Sequence, residues 1–299
     1  MNNSFEEIIE VIENSNKIAV AGHISPDGDA VASCCSMAMA LIKKGKNAVV
    51  YLEEVPEKFK SVPYSDKVLT EEPEEDFDLF ISLDCGDIER LGKYSSIAEK
   101  TTVLNIDHHI SNTYFGNLNF VDGDASSTCE VVYRLIDGWC PLDKNIAQAL
   151  YTGIIFDTGC FKHSSTSPYT MKIAGELMTY DIPFTYVQEE IFYSHTFTEA
   201  KILGAAIKNM RTECGGRLAI SKLSIDEMKE VGGTPKDADA VVSYIKNTEG
   251  ADAAVFFYEK KNGEIKASMR SNEAVNVSEI AVRFGGGGHI RASGCTLYG

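Results

Sequence analysis

The stretch Ala21-Gly22-His23-Ile24-Ser25-Pro26-Asp27-Gly28-Asp29-Ala30 contains one imidazole and two carboxylates within seven residues. The apolar run Ile18 to Ala21 leads into it and is typical of a buried strand. A helical pattern from about Ala30 to Lys43 follows, and the proline and glycine between them favour a turn. Open α/β sheets bind ligands at the C-terminal edge of their strands. The sequence therefore places three polar side chains at such an edge: His23, Asp27 and Asp29.

Two interpretations of this turn are possible from the stretch alone. Imidazole and carboxylate groups together suit a hard or borderline divalent metal ion. Aspartates that precede a helix also serve as caps for its free N–H groups, with no metal involved.

The rest of the chain favours the metal, because three further apolar segments also end on Asp or His. Asp78–Leu83 ends on Asp84-Cys85-Gly86-Asp87, Thr101–Ile106 ends on Asp107-His108-His109, and Ala149–Phe156 ends on Asp157-Thr158-Gly159. A parallel sheet with metal ligands along one edge explains all four segments at once. Two metal ions about 3.5–4 Å apart around a shared carboxylate need about this many ligands.

Composition excludes several classes of function. The chain has 299 residues and a formal net charge of −16 at pH 7, so binding to long duplex nucleic acid is not expected. No apolar run is long enough for a bilayer, and the first ten residues are polar and acidic, so neither membrane association nor secretion is predicted. The eight cysteines form no CxxC pair, which favours a reducing cytoplasmic location.

The length is sufficient for two α/β domains. We expect a catalytic domain at 1–185, a helical connector at 186–199 and a smaller domain at 200–299. The predicted elements of the smaller domain are helices at 200–210, 237–246 and 278–284 and strands at 217–223, 253–258 and 264–269. The last two strands are joined around Asn262-Gly263, which is a strong hairpin signal.

A second motif lies near the C-terminus. Gly285-Gly286-Gly287-Gly288-His289 is followed by Ala292-Ser293-Gly294 and preceded by Ser268-Met269-Arg270-Ser271. A glycine loop lets the backbone approach an anion closely, and an arginine suits bidentate contact with phosphate. The alternatives are a flexible loop and a structural salt bridge of Arg270.

These motifs, taken in order, resemble those of the DHH phosphoesterase superfamily, which is named for the triplet Asp107-His108-His109. The resemblance covers nearly the whole chain and is greatest to the branch of nano-RNases and pAp phosphatases. It implies an N-terminal parallel-sheet DHH domain and a smaller C-terminal α/β DHH-associated domain, with the active site in the cleft between them.

The resemblance also implies the ligands of two metal ions. His23, Asp27 and Asp84 would bind one ion, and Asp29, Asp84, His108 and Asp157 the other, with Asp84 as the bridge. Asp107 would orient the histidines, and His109 would face the substrate phosphate, although a supporting or core role for His109 is the alternative. The implied catalytic residues are thus Asp84, Asp107 and His109.

The same resemblance predicts the substrate contacts, which are His109, Arg270, Ser271, Gly286, Gly287, Gly288 and His289. The roles of Lys162, His163 and Arg291 are undecided from the sequence.

The resemblance implies two Mn²⁺ ions, with Mg²⁺ or another divalent ion as the alternative, and a hydroxide activated by both ions. The expected reaction is hydrolysis of short oligoribonucleotides to nucleoside monophosphates, together with removal of the 3′-phosphate of pAp. Alternatives are a phosphodiesterase for pApA or cyclic di-AMP, an inorganic pyrophosphatase, and a nucleotide-binding regulator without turnover. The expected partners are short RNA or small nucleotides, and the sequence leaves a homodimer open.

Overall fold

The computed structural model describes residues 1–72, 75–238, 240–260, 263–272 and 274–298. The chain divides into two compact units, Met1–Ser194 and His195–Gly299. Each unit combines one sheet with helices, which confirms the predicted α/β class. The division lies within the segment 186–199, where the sequence predicts a helical connector. Among the described residues, no helix combines the length and apolar character that a bilayer crossing requires.

The first unit is built on a five-stranded sheet in which every neighbouring pair is parallel. Its strands, in chain order, are β1 (Lys17–Ala21), β2 (Asn47–Tyr51), β3 (Leu79–Leu83), β4 (Thr102–Asp107) and β5 (Leu118–Val121). Their order in the sheet is β2-β1-β3-β4-β5. Strand β3 is buried along its whole length, which accounts for its continuous apolar sequence. The short strand β5 was not predicted from the sequence.

The described residues of this unit form the α-helices α1 (Phe5–Asn14), α2 (Gly28–Lys43), α3 (Ser95–Ala98), α4 (Thr128–Ile136), α5 (Lys144–Asp157), α6 (Pro168–Met178) and α7 (Phe184–Gln188). Helices α2, α4 and α5 pack against one another and form the core beside the sheet. Short 3-10 segments lie at Glu57–Phe59, Ser65–Lys67 and Ile88–Tyr94, and a π-helical turn lies at Glu189–Tyr193.

One prediction for this unit is wrong. The apolar segment Ala149–Phe156 does not add a strand to the sheet, because it is the second half of helix α5, which ends at Asp157. Helix α5 is buried against α2 and α4, so its own sequence is apolar on several faces. Such a sequence shows no clear helical period. Asp157 therefore comes from the end of a helix and not from the edge of the sheet.

The second unit contains a six-stranded sheet of order β10-β11-β9-β8-β7-β6. Its strands are β6 (Arg211–Glu213), β7 (Leu218–Leu223), β8 (Ala253–Glu259), β9 (Glu264–Ser271), β10 (Gly287–His289) and β11 (Ala292–Tyr298). Its helices are α8 (Phe197–Lys208), α9 (Ile225–Glu230), α10 (Val241–Lys246) and α11 (Val277–Arg283), with 3-10 turns at Cys214–Gly216 and Pro235–Ala238. Only β7 and β8 pair in parallel, and the other neighbours are antiparallel.

The sequence predicts a hairpin around Asn262-Gly263, and the antiparallel pairing of its two strands is confirmed. Strands β8 and β9 pair antiparallel, with Glu259 opposite Ile265. Asn262 lies outside the described residues, whereas Gly263 has a φ of +76°, which favours glycine.

The predicted glycine loop is partly a strand, which corrects the sequence analysis. Gly287 and Gly288 belong to β10 and pair with β11 at the edge of the sheet. A Cβ on Gly286 would collide with the carbonyl oxygen of Gly294, and a Cβ on Gly288 would lie 2.6 Å from that of Ala292. These two glycines are needed because the neighbouring backbone leaves no room for a side chain.

Helix α5 carries a glycine whose replacement we expect to be destabilising. A Cβ on Gly153 would meet Sγ of Cys129 and lie 2.5 Å from Oδ1 of Asp29. Gly153→Ala should lower the free energy of unfolding by about 1–3 kcal/mol through overpacking, measured by urea denaturation of the whole chain.

The matched control is Gly175 in helix α6, where a Cβ would meet no atom within 4 Å. Gly175→Ala should raise the free energy of unfolding by about 0.4–1 kcal/mol, because alanine restricts the unfolded chain. Equal effects of the two substitutions would contradict the packing described for helix α5.

Candidate metal centre

The candidate ligands of the first unit come together at the C-terminal edge of its sheet and at two helix ends. His23 follows β1, Asp84 follows β3, and His108 follows β4. Because these strands are parallel, their C-terminal ends lie side by side. The remaining three ligands come from helix ends: Asp27 and Asp29 at the start of α2, and Asp157 at the end of α5.

The described residues contain three groups of side chains whose ligand atoms all lie within 4.8 Å of one another. They are His23 with Asp27 and Asp84, Asp29 with His108 and Asp157, and Asp84 with His108 and His109. All six predicted metal ligands are found in these groups. His109 is an additional member that the sequence analysis assigned to the substrate.

Asp84 occupies the middle of the arrangement. Its Oδ2 lies 3.5 Å from Nε2 of His23, and its Oδ1 lies 3.6 Å from Nε2 of His108. The two oxygens of one carboxylate thus face two different histidines. Asp84 is buried and has a φ of +53°, a conformation that non-glycine residues seldom adopt outside functional sites.

Backbone carbonyls fix the orientation of both histidine rings. Nδ1–H of His23 donates to the carbonyl of Ile24 at 2.8 Å, and Nδ1–H of His108 donates to that of Ala125 at 3.4 Å. Nε2 of each ring is therefore directed at the carboxylates. A neutral ring held in this way presents Nε2 as a metal ligand.

Asp27 caps helix α2 and also belongs to one of the candidate metal groups, so its position suits both functions between which the sequence could not decide. Its Oδ1 accepts from the N–H groups of Asp29 and Ala30 and caps helix α2. Its Oδ2 lies 3.8 Å from Nε2 of His23 and is free for a cation. Capping and metal binding are thus compatible in one carboxylate.

Asp29 contacts a helix end that sequence reasoning did not connect with it. Its Oδ2 accepts from the N–H of Thr128 at 2.6 Å, and its Oδ1 accepts from that of Cys129 at 3.0 Å. These are the first residues of helix α4, for which Ser127 is the N-cap. The hydroxyl of Thr128 also donates to Oδ1 of Asp84 at 3.1 Å. The Ser-Ser-Thr pattern indicated a helix start but gave no sign of these contacts.

Asp107 lies beside the ligands and orients His109. Its Oδ1 accepts from Nδ1–H of His109 at 2.7 Å and from the N–H of His108 at 2.8 Å. Its Oδ2 accepts from the amide of Asn112 at 2.6 Å, a residue that the sequence analysis did not single out. Asp107 is fully buried, whereas the side chain of His109 is 29% exposed. Asp107 is outside the three ligand groups found among the described residues.

Crowding of carboxylates determines the electrostatics of the site. Burial, followed by the charges of Asp157 and Asp84, raises the pKa of Asp29 well above its ordinary value. Burial also raises the pKa of Asp157, which the hydrogen bond from His108 only partly offsets. The free energy of this cluster falls when positive charge is placed among the oxygens.

The histidines provide that positive charge when no cation is present. Burial lowers the pKa of His23, but hydrogen bonds to Asp27 and Asp84 outweigh it and raise the pKa to about 10. Burial likewise lowers the pKa of His108, but the hydrogen bond to Asp157 outweighs burial, so the pKa of His108 is raised overall. The hydrogen bond to Asp107 raises the pKa of His109.

The predicted substrate residues lie in the second unit, apart from His109. Arg270 on β9 and His289 on β10 are both paired with Ala292 of the intervening strand β11. Directly opposed residues of antiparallel strands point to the same face, so Arg270 and His289 share one face, with backbones roughly 10 Å apart. Ser271 lies on the other face, and its hydroxyl donates to the carbonyl of Val275 at 2.6 Å.

Of the three undecided residues, two donate hydrogen bonds to backbone carbonyls and the third is exposed. Nδ1–H of His163 donates to the carbonyl of Asp157 at 2.9 Å, and Nη1 of Arg291 donates to that of Val275 at 2.9 Å. Lys162 is exposed.

Two family models match the chain. The DHH family N-terminal domain matches residues 17–154, and the DHHA1 domain matches residues 215–299.

Curated relatives match over almost the whole chain. The bifunctional oligoribonuclease and PAP phosphatase NrnA of Thermus thermophilus is 31% identical, covering 98% of this chain and 87% of the relative. The protein of the same description from Bacillus subtilis is also 31% identical, covering 98% and 93%. Among solved structures, an exopolyphosphatase-related protein of Bacteroides fragilis superposes with a TM-score of 0.91 at 25% identity, covering 99% and 91%.

Metal binding should release protons from this site. His23 is protonated at pH 7.5 because its pKa is raised to about 10, and the raised pKa of His108 acts in the same direction. A cation binds only the neutral ring and the ionised carboxylate, so binding of Mn²⁺ should release at least about two protons and tighten as the pH rises. Calorimetric titration in HEPES and in Tris measures this number, because the two buffers differ in ionisation enthalpy.

His195→Gln is the matched control, since His195 is exposed and belongs to none of the three groups. It should leave the number of released protons unchanged. Identical binding enthalpies in both buffers would contradict the protonation of the histidines.

Proposed function

The chain belongs to the DHH family, and on this premise we propose that it is a metal-dependent phosphoesterase that hydrolyses short oligoribonucleotides to nucleoside monophosphates and removes the 3′-phosphate of pAp. The observation that carries the proposal is the position of Asp84, whose two oxygens face His23 and His108 separately. One carboxylate shared between two ligand groups is the arrangement that a pair of hydrolytic metal ions requires. The printed names of the relatives supply the substrate class.

We assign the six predicted ligands to two metal ions. His23, Asp27 and Asp84 bind the first ion, and Asp29, Asp84, His108 and Asp157 bind the second. The donor set fits, because it combines Nε2 atoms already oriented by backbone carbonyls with carboxylates whose repulsion a cation relieves. When bound, the two ions supply an activated water and neutralise charge on the phosphoryl oxygens.

Manganese suits this mixture of imidazole and carboxylate ligands better than magnesium, which prefers oxygen. We therefore propose Mn²⁺ as the metal in both positions, with Mg²⁺ as the second choice.

His109 acts on the substrate in this proposal. Asp107 holds its Nδ1–H and raises the pKa of His109, which favours the protonated ring and leaves Nε2 available to donate to a phosphate oxygen. A positive donor held in place stabilises the charge of the transition state without reorganisation. Asp107 itself is a positioning residue, because its oxygens are already satisfied by His108, His109 and Asn112.

In the second unit, we propose that a non-scissile phosphate or a terminal base is bound by Arg270, His289 and the backbone of Gly286–Gly288. The shared face of Arg270 and His289 supports this assignment. The net charge of −16 restricts the substrate to short oligonucleotides, since a long polyanion would be repelled by most of the surface.

The test of the function is product analysis with purified protein and Mn²⁺. Ribonucleotides of two to five residues, pAp, pApA and pyrophosphate are offered side by side. We expect loss of the short RNAs with release of nucleoside monophosphates, and release of phosphate from pAp. Asp84→Ala should lower both rates by at least about 10³-fold, because it removes the shared ligand.

Turnover of pyrophosphate alone would overturn the substrate assignment while leaving the metal centre intact. Turnover by Asp84→Ala at the wild-type rate would contradict the assignment of Asp84 as the shared metal ligand.

The role of Arg270 has a separate test. Arg270→Gln should raise KM for pAp about 10–100-fold and change kcat less, because a charged hydrogen bond to a non-reacting phosphate mainly contributes to binding. Arg211→Gln is the control, since Arg211 is exposed and forms an ion pair with nearby Glu213. A loss in kcat at unchanged KM would place Arg270 at the reacting phosphate instead.

A further inference from the structure

Helix α4 begins at the metal centre, and its first turn contacts ligands assigned to both metal ions. The N–H groups of Thr128 and Cys129 donate to the two oxygens of Asp29, at 2.6 and 3.0 Å. The hydroxyl of Thr128 donates to Oδ1 of Asp84 at 3.1 Å. Thr128 is fully buried and thus links the shared carboxylate with a ligand of the second ion.

We propose that Thr128 is a positioning residue that fixes the distance and orientation between Asp29 and Asp84, and so assembles the second metal position. The proposal rests on the proposed function, because it assumes that these two carboxylates bind the same ion. Thr128 contacts no metal itself in this arrangement. Its hydroxyl acts on the ion only through Asp84.

The hydroxyl of Thr128 restrains an oxygen that has competing partners. Oδ1 of Asp84 also lies 3.6 Å from Nε2 of His108 and 3.6 Å from Nδ1 of His109. A carboxylate among several donors can rotate toward any of them, and a directed hydrogen bond selects one orientation. Valine has the same shape as threonine but cannot donate, so Thr128→Val would leave the carboxylate free to rotate.

Asp29 is closely packed. The N–H groups of α4 bind both of its oxygens, and they carry the positive end of the helix dipole, which stabilises a buried carboxylate. Helix α5 also lies close, since a Cβ at Gly153 would lie 2.5 Å from Oδ1 of Asp29. Asp29 therefore keeps its place relative to Thr128.

The first turn of α4 is itself anchored. The carboxylate of Glu130 accepts from the hydroxyls of Ser126, at 2.6 Å, and Thr170, at 2.7 Å. Thr170 lies in helix α6, so Glu130 joins α4 to α6 within the interior. The hydroxyl of Ser127 accepts from the N–H of Glu130 and completes the cap. Thr128 is held between these contacts and cannot follow Asp84 if the carboxylate moves.

The experiment measures Mn²⁺ binding by calorimetry and by electron paramagnetic resonance, which needs no turnover. Thr128→Val should weaken binding of the second Mn²⁺ about 10–100-fold and reduce the signal of the exchange-coupled pair. Thr128→Ser keeps the hydroxyl and should bind both ions within about threefold of wild type. Thr128→Ala also lacks the hydroxyl and provides a second test if the valine variant does not fold.

The matched control is Thr152→Val. Thr152 is equally buried in helix α5, but its hydroxyl donates to the carbonyl of Gln148 within the same helix. Thr152→Val should leave the affinities for both Mn²⁺ ions unchanged. Wild-type affinity in Thr128→Val or Thr128→Ala, or an equal loss in Thr128→Ser, would overturn the proposal.

A failure of the Thr128 proposal can be distinguished from a failure of the proposed function. If the wild-type protein binds two Mn²⁺ ions but hydrolyses none of the offered substrates, the proposed function fails, while the affinities of the Thr128 variants still decide the positioning role. If wild-type protein binds a single ion, the positioning proposal fails, whatever the turnover.

Discussion

The burial of several like charges in one small volume is the constraint on which this structure depends. Asp29 and Asp84 are buried and Asp157 is half-buried beside them, so water screens their repulsion only weakly. The fold compensates in two ways: protonated His23 and His108 face the carboxylates, and the first turn of helix α4 donates to them. Both devices require parallel strands and three helix ends to converge at one point.

This constraint explains which parts of the site were predictable from the sequence. His23, Asp84 and His108 follow apolar strands, and parallel strands bring their ends to a common edge, so pattern alone placed these ligands together. Asp157 was correctly grouped with them but for the wrong structural reason. Its helix is buried from several sides, and an apolar sequence without a polar face does not distinguish such a helix from a strand.

The contacts of Thr128 were beyond sequence reasoning for a different reason. Ser127 and Thr128 show the composition of a helix start, and the structure confirms the cap. The partners of Thr128, however, are Asp29 and Asp84, which are 99 and 44 residues away in the chain. A local pattern can identify a helix end, but it contains no information about which distant carboxylate that end will meet. The same holds for Asn112, whose partner Asp107 depends on the course of the following loop.

Because the chain is acidic, bound cations would also affect the approach of a phosphate to this site. A phosphate that approaches the metal-free centre meets Asp27, Asp84 and Asp157 on a protein of net charge −16, with the charges of His23 and His108 already paired to those carboxylates. Substrate binding at this edge is therefore unfavourable until cations replace the ring protons and leave an excess of positive charge. The hydrogen bond from Nδ1–H of His109 to Asp107 raises the pKa of His109 and leaves its Nε2 available to a phosphate. If the proposed function holds, prior metal binding should therefore favour substrate binding, because the carboxylates that repel a bare phosphate also attract the cations that would hold it.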